Sequence, residues 1–198
     1  MLRYFGKLHL SHQNPAPLLR AMRELAASRS LSADQLRLEL YLIGPGRAEL
    51  EALAREHGVE ELIQVKDPVS HDEAAALMSS ATALPVFDWV DAAGLGAMVT
   101  PTKLYEALGS SRPVLLVSAR GGSAERLVRE VGVGTAARTD EQLRTALLEL
   151  YDRHAQGDDL STPPAPALLQ YRREVQAHKL ASILGELPGH GEPAGDDV

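Results

Sequence analysis

Lys103 and Glu106 are the two side chains whose type and spacing most readily do chemistry. They stand in Pro101-Thr-Lys-Leu-Tyr-Glu-Ala-Leu108, where a proline at the first turn and helix formers behind it predict a helix over 101–109. Residues three apart share a helix face, so both side chains can address one cleft. The helix start over 100–103, with Thr100 and Thr102, offers free N–H groups and a positive dipole end, which suit a diphosphate. Lys103 adds a point charge, and a carboxylate one turn further on can accept both hydrogen bonds of a ribose diol. Gly94-Leu-Gly96, just upstream, lets backbone approach closely. The competing reading is an exposed Lys103–Glu106 pair of little energetic value.

The elements that must position these residues follow from the hydrophobic pattern. Short apolar runs end near Gly6-Lys7 and recur over 36–43, 62–65, 82–87, 113–117 and 133–136, with helical patterns between them. That alternation implies parallel strands joined by crossover helices, an α/β class. Pro85 weakens the strand over 82–87, because proline gives nothing to a sheet ladder. Asn14-Pro15, Ser70-His-Asp-Glu73 and Thr139-Asp-Glu-Gln142 read as helix starts. In an open parallel sheet ligands bind beyond the carboxyl ends of the strands, which singles out the loops over 6–13, 87–103 and 118–123. The Gly- and Pro-containing stretch 155–166 reads as a linker after a domain over 1–154. A last helix is expected over 167–187, packing on the domain or on a missing lobe, and a disordered tail over 188–198.

Composition narrows the partners. The 198 residues carry 44% hydrophobic and 24% charged side chains and a net charge of -7, enough for one well-cored domain and without a basic stripe for nucleic acid. Cysteine is absent, so disulfides and thiolate metal sites are excluded, and the cytoplasm is the expected location. No apolar run approaches the ~20 residues that span a bilayer. Because Leu2-Arg-Tyr-Phe-Gly6 reads as a core strand directly after Met1, further chain is expected upstream. His9, His12 and His71 lie in separate loops without metal-ligand spacing and read as ordinary surface or loop histidines, though His12 stands near the first loop. Asp88 and Asp91 flank Trp89, either as paired carboxylates or only as solvating acids. Gly121-Gly122-Ser123 is a turn or a place of close backbone approach. No Ser-His-Asp order, Walker-type loop, Gly-x-Gly-x-x-Gly fingerprint or metal cluster is evident.

The stretch Pro101-Thr-Lys-Leu-Tyr-Glu-Ala-Leu-Gly-Ser-Ser-Arg-Pro-Val-Leu115 resembles the carboxyl-terminal domain of retaining GT-B glycosyltransferases of group 1 type. There a helix carrying a nucleotide-binding glutamate runs through a small-residue turn into a Pro-Val strand. Tyr4-Phe-Gly-Lys-Leu8 is similar to the family's opening strand and phosphate-contacting basic residue, and Leu40-Tyr-Leu-Ile-Gly-Pro-Gly46 to its second strand and turn. The run over 65–81 resembles the segment preceding the donor loop. Tyr171-Arg-Arg-Glu-Val-Gln-Ala-His-Lys-Leu180 resembles the closing helix, which crosses back to the amino-terminal domain in full-length members.

The resemblance implies a Rossmann-like parallel sheet flanked by helices and a donor that is a UDP- or GDP-type sugar. No separate cofactor or metal is implied. Gly6, Lys7, Gly94, Thr100, Thr102, Lys103 and Glu106 would bind the nucleotide sugar, and a hexose-type group would pass to an acceptor with retention. An amino-terminal acceptor-binding domain absent from this chain would be the partner, and any peripheral membrane association would run through that lobe. Two positions depart from the pattern. The family's sugar-side glutamate falls on Met98, and its second phosphate-binding basic residue falls near Gln13, so no catalytic residue is assigned. A non-catalytic nucleotide-sugar-binding or scaffold module, or part of a sugar-nucleotide epimerase, are the alternatives.

Overall fold

The computed structural model describes residues 1–90, 95–118, 121–162 and 165–186. Strands β1 (Leu2–Gly6), β2 (Leu38–Leu42), β3 (Ile63–Lys66), β4 (Leu84–Phe87), β5 (Val114–Val117) and β6 (Gly134–Ala137) are joined by α1 (Ala16–Arg29), α2 (Arg47–Glu56), α3 (His71–Ser79), α4 (Thr102–Gly109) and α5 (Ser123–Val131). Helices α6 (Asp140–Ala155) and α7 (Arg173–Glu186) follow. Each strand pairing is parallel, in two ladders, β1-β2-β3 and β4-β5-β6. A bridge from Leu2 to Ala83 joins them, giving the spatial order 3-2-1-4-5-6 of a Rossmann-like sheet.

Pro85 explains why the ladder divides where it does. Leu84 N–H donates to Pro113 O at 2.9 Å and Asp88 N–H to Val117 O at 3.0 Å, so alternate residues of β4 address β5. The intervening ones face β1, where Ala83 O accepts from Arg3 N–H at 3.3 Å and Pro85 has no N–H to continue the series. The strand forms despite its proline because the missing donor falls on the seam and costs nothing on the β5 side.

Each face of the sheet buries a different set. Leu2, Tyr4, Leu38, Leu40 and Leu42 pack beneath α1, α2 and α6, whereas Leu84, Val86, Val114 and Leu116 pack beneath α4 and α5. Over β1 and β2 this second face is polar and aromatic instead. Arg3 Nε donates to Glu39 Oε2 at 2.8 Å, and Arg3 Nη1 donates to Leu77 O at 2.7 Å and Ser80 Oγ at 2.5 Å, tying α3 down over β1. Lys66 Nζ lies 3.2 Å from the other oxygen of Glu39. Burial alone would push the Glu39 carboxyl up, but Arg3 and Lys66 outweigh it and hold the group below the usual carboxylate range.

The helix starts read from the sequence form: Ser70 Oγ accepts from Glu73 N–H at 3.3 Å, Thr139 Oγ1 from Gln142 N–H at 3.2 Å, and Asn14 Oδ1 from Ala16 N–H at 3.0 Å. The continuous helix expected over 167–187 does not. A 3-10 turn, Pro166–Tyr171, comes first and Arg172 is extended, so α7 begins at Arg173. Pro166 opens that turn, and Leu168 and Tyr171 pack onto the α4–α5 core, which fixes the chain before α7 can start. The tail expected to be disordered lies outside the described residues.

Breaking the buried pair should therefore be costly. Arg3→Ala leaves Glu39 buried with less compensation and frees α3, and is expected to lower unfolding free energy by about 3 kcal/mol, measured by urea denaturation at pH 7. Since the Glu39 carboxyl titrates lower in the folded chain, that contribution is full above about pH 4.3 and disappears as pH falls through the lowered value.

Candidate nucleotide-binding cleft

A cleft of about 760 Å³ opens beyond the ends of β1 and β2, between α3 and α4. Helix α4 supplies one wall. Leu104, Ala107 and Leu108 are buried in the core, so the helix cannot rotate, and Lys103, Tyr105 and Glu106 are left lining the cleft. The first hydrogen bond of this helix runs from Leu104 N–H to Pro101 O at 2.9 Å, leaving the N–H groups of Thr102 and Lys103 ahead of the ladder.

Lys103 is held rather than loose. Its ammonium donates to Lys7 O and lies 5.3 Å from the centre of the Tyr4 ring, while Tyr4 O–H donates to the same carbonyl at 2.6 Å. Desolvation lowers the Lys103 pKa; Glu106 opposes that shift and Lys7 adds to it. Gly6 makes the approach feasible. Its φ is +96°, and a Cβ there would stand 2.7 Å from Lys103 Cε, so only glycine leaves both the backbone and the lysine where they are.

The remaining sequence candidates divide. Gly6, Lys103 and Glu106 come together on the cleft. The Lys7 side chain is exposed and lines a neighbouring hollow of about 320 Å³ with His9 and Gly46. Thr102 is exposed at the start of α4, and Thr100 Oγ1 donates to Ser123 Oγ at 2.9 Å, at the start of α5. Gly94 and Asp91 lie outside the described residues. Gln13 is a stitch: Oε1 accepts from His9 N–H at 3.0 Å and Nε2 donates to Phe87 O at 2.9 Å, pinning the loop after β1 to the end of β4. Asp88 solvates nothing. It is buried, accepting from Ser118 Oγ at 2.8 Å and from Trp89 N–H at 2.9 Å, and burial raises its pKa. Met98 is 78% exposed.

His71 is exposed, as a surface histidine, but it is the first residue of α3 rather than part of a loop, and it lines the cleft. His9 and His12 instead pack on Trp89, at 5.6 Å and 4.4 Å between ring centres. Phe5 and Tyr41, stacked at 4.9 Å and 7°, together with Ile43, Val69 and Met78 give the cleft an apolar floor that the sequence did not disclose. Arg3 and Glu39, each two residues before Phe5 and Tyr41, mark this face of β1 and β2 as the more polar one, but alternation does not tell that a cleft opens over it. Among the described residues no group of His, Asp and Glu could hold a metal ion, and no helix is long and apolar enough to cross a membrane.

The family described as glycosyl transferases group 1 matches residues 1–153. The chain belongs to this family. No curated protein matches it by sequence. Solved structures of the same fold include Anabaena HepE in complex with UDP (16% identity, TM-score 0.66, covering 94% of this chain and 48% of that one). The pneumococcal O-GlcNAc transferase GtfA with UDP and GlcNAc follows at 14% and 0.57, covering 93% and 35%. WaaG, a glycosyltransferase involved in lipopolysaccharide biosynthesis, stands at 17% and 0.59, covering 94% and 47%. This group 1 chain thus has the fold of a GT-B carboxyl-terminal lobe and spans between a third and a half of the length of those proteins.

Two glycines should respond differently to alanine. A Cβ on Gly122, whose φ is +151°, would overlap Ala97 O, a backbone atom that cannot swing aside. Gly122→Ala is expected to cost roughly 1–3 kcal/mol or more, visible as a lowered melting temperature. Gly6→Ala meets the movable end of a lysine, so besides the strain of its own φ of +96° it should displace Lys103 from Lys7 O, and it is expected to lower the melting temperature less than Gly122→Ala does.

Proposed function

We propose that the chain is the donor-binding half of a glycosyltransferase that moves a hexose-type sugar from a nucleoside diphosphate to an acceptor, with retention. The observation that carries this reading is the meeting of Gly6, Lys103 and Glu106 on one cleft at the strand ends, in a chain of this family. Glu106 takes the ribose hydroxyls and the base lies against Ile43, Val69 and the Phe5–Tyr41 stack. Lys103, with Lys7 and the N–H groups at the start of α4, takes the diphosphate. Two neighbours of the same fold are described with UDP bound, which favours a uridine or similar nucleotide without naming the sugar.

On this reading the rate comes from charge stabilisation. As the glycosidic bond breaks, negative charge gathers on the departing diphosphate, and a fixed ammonium and helix dipole in a partly dry site stabilise it more than water does. Glu106 is the one carboxylate among the described residues that line the cleft and is assigned to the ribose, so no protein nucleophile is proposed. In this account residues 1–154 form the lobe, 155–166 connect it to the closing segment, and a second lobe of the full-length protein supplies the acceptor site and any membrane contact, in the cytoplasm.

Calorimetric titration with UDP and GDP tests the nucleotide site. Glu106→Ala should weaken the preferred nucleotide by about ten-fold or more, the loss of a charged hydrogen-bond acceptor; unchanged affinity would remove the ribose from Glu106. A second expectation concerns pH. A lysine whose pKa is lowered by desolvation loses its charge before an ordinary one does, so affinity should fall on alkalinisation from below the usual lysine range. Lys103→Arg, always charged, should flatten that fall. Comparing the two proteins cancels the titration of the nucleotide itself.

A further inference from the structure

The chain after α6 returns to the cleft wall from behind. Thr162 N–H donates to Ser111 O at 3.0 Å, and Ser111, just past α4, lines the cleft. The 3-10 turn Pro166–Tyr171 then lays Ala167, Leu168 and Tyr171 against the core that Leu104, Ala107 and Leu108 enter from α4. Its anchor on α5 is a hydrogen bond from Gln170 Nε2 to Glu130 Oε1 at 2.7 Å. At its end the Tyr171 ring meets the Tyr105 ring at 5.3 Å between centres, tilted by 51°. Tyr105 lines the cleft beside Glu106 and is 36% exposed; Tyr171 is partly buried and does not line it.

We propose that Tyr171 is a positioning residue for the nucleotide cleft, holding the Tyr105 ring as a fixed wall beside the ribose-binding Glu106. The proposal rests on the nucleotide reading given above. A half-exposed tyrosine on a helix surface has other staggered rotamers available. A tilted aromatic neighbour selects one of them, and the ligand then meets a wall it does not have to order for itself. The hydroxyl of Tyr171 plays no part in that contact; the ring does.

The test is calorimetric titration with UDP of the unsubstituted chain, Tyr171→Ala, Tyr171→Phe, Tyr105→Ala and the double variant, with thermal melts alongside. Tyr171→Ala should weaken UDP about three- to ten-fold, in line with an aromatic pair, and Tyr171→Phe should bind as the unsubstituted chain does. The double variant should bind no worse than Tyr105→Ala, because Tyr171 acts only through Tyr105. Should alanine unfold the chain, Tyr171→Leu keeps the burial without the ring and answers the same question. Native affinity in Tyr171→Ala, or losses that add in the double variant, overturn the proposal while leaving the nucleotide site intact. Failure of the unsubstituted chain to bind either UDP or GDP removes the nucleotide reading, and this proposal with it.

Discussion

The arrangement of the cleft depends on the seam between β1 and β4. There the chain has run outward through β2 and β3 and starts again on the other side of β1, so the helices that follow the two halves diverge and leave a crevice at the strand ends. Hydrogen bonding across the seam is thin, since the Leu2–Ala83 bridge is followed by Pro85, which has no N–H. Other contacts take over. Gln13 spans the seam at its carboxyl end through His9 and Phe87, the Tyr4 and Phe87 rings meet at 5.3 Å, and Lys103 crosses from α4 to Lys7 O. One of the side chains that close the seam, Lys103, also lines the cleft, so sheet integrity and cleft geometry are coupled here.

Helix α4 shows how packing becomes aim. Burying Leu104, Ala107 and Leu108 is worth several kcal/mol at about 1.5–3 kcal/mol per large apolar side chain, far more than an exposed Lys–Glu pair can offer. The core therefore decides the rotation of the helix, and Lys103 and Glu106 point where they do as a consequence. Arg3 performs a similar service for α3 by holding its last turn over β1, which keeps the opposite wall, with Ser70 and His71 at its head, against the cleft.

The sequence disclosed what depends on local rules. Caps at Ser70 and Thr139, the strand-and-helix alternation and the α4 segment with its lysine and glutamate are all short-range patterns, and the structure contains each of them. It did not disclose what covers each face of a strand. Arg3 and Glu39 mark the face that Phe5 and Tyr41 share, yet only the fold reveals that this pair floors a cleft while Tyr4 and Leu40 fill the core. Gln13 and Asp88 were hidden for a related reason. A polar residue in a loop reads as solvated, and only the fold reveals that both are buried and satisfied. Polar side chains buried in this way are determined by tertiary geometry, which leaves no periodic trace.

The two departures from the family pattern bear differently on chemistry. Gln13 does not sit as a failed phosphate ligand; it has been given to the seam, and Lys103 is the cation that the same seam brings against the end of β1. A positive charge is thus present at the start of α4, where Lys103 reaches Lys7 O. Met98 has no such substitute among the described residues. Its side chain is exposed near the start of α4, and among the described residues no carboxylate other than Glu106 lines the cleft. On the proposed reading the cation serves the departing diphosphate and the missing acid would have faced the sugar, so the two departures bear on opposite ends of the donor: charge is supplied where it would develop as the bond breaks, and no second acid, among the described residues, stands where the sugar would be recognised.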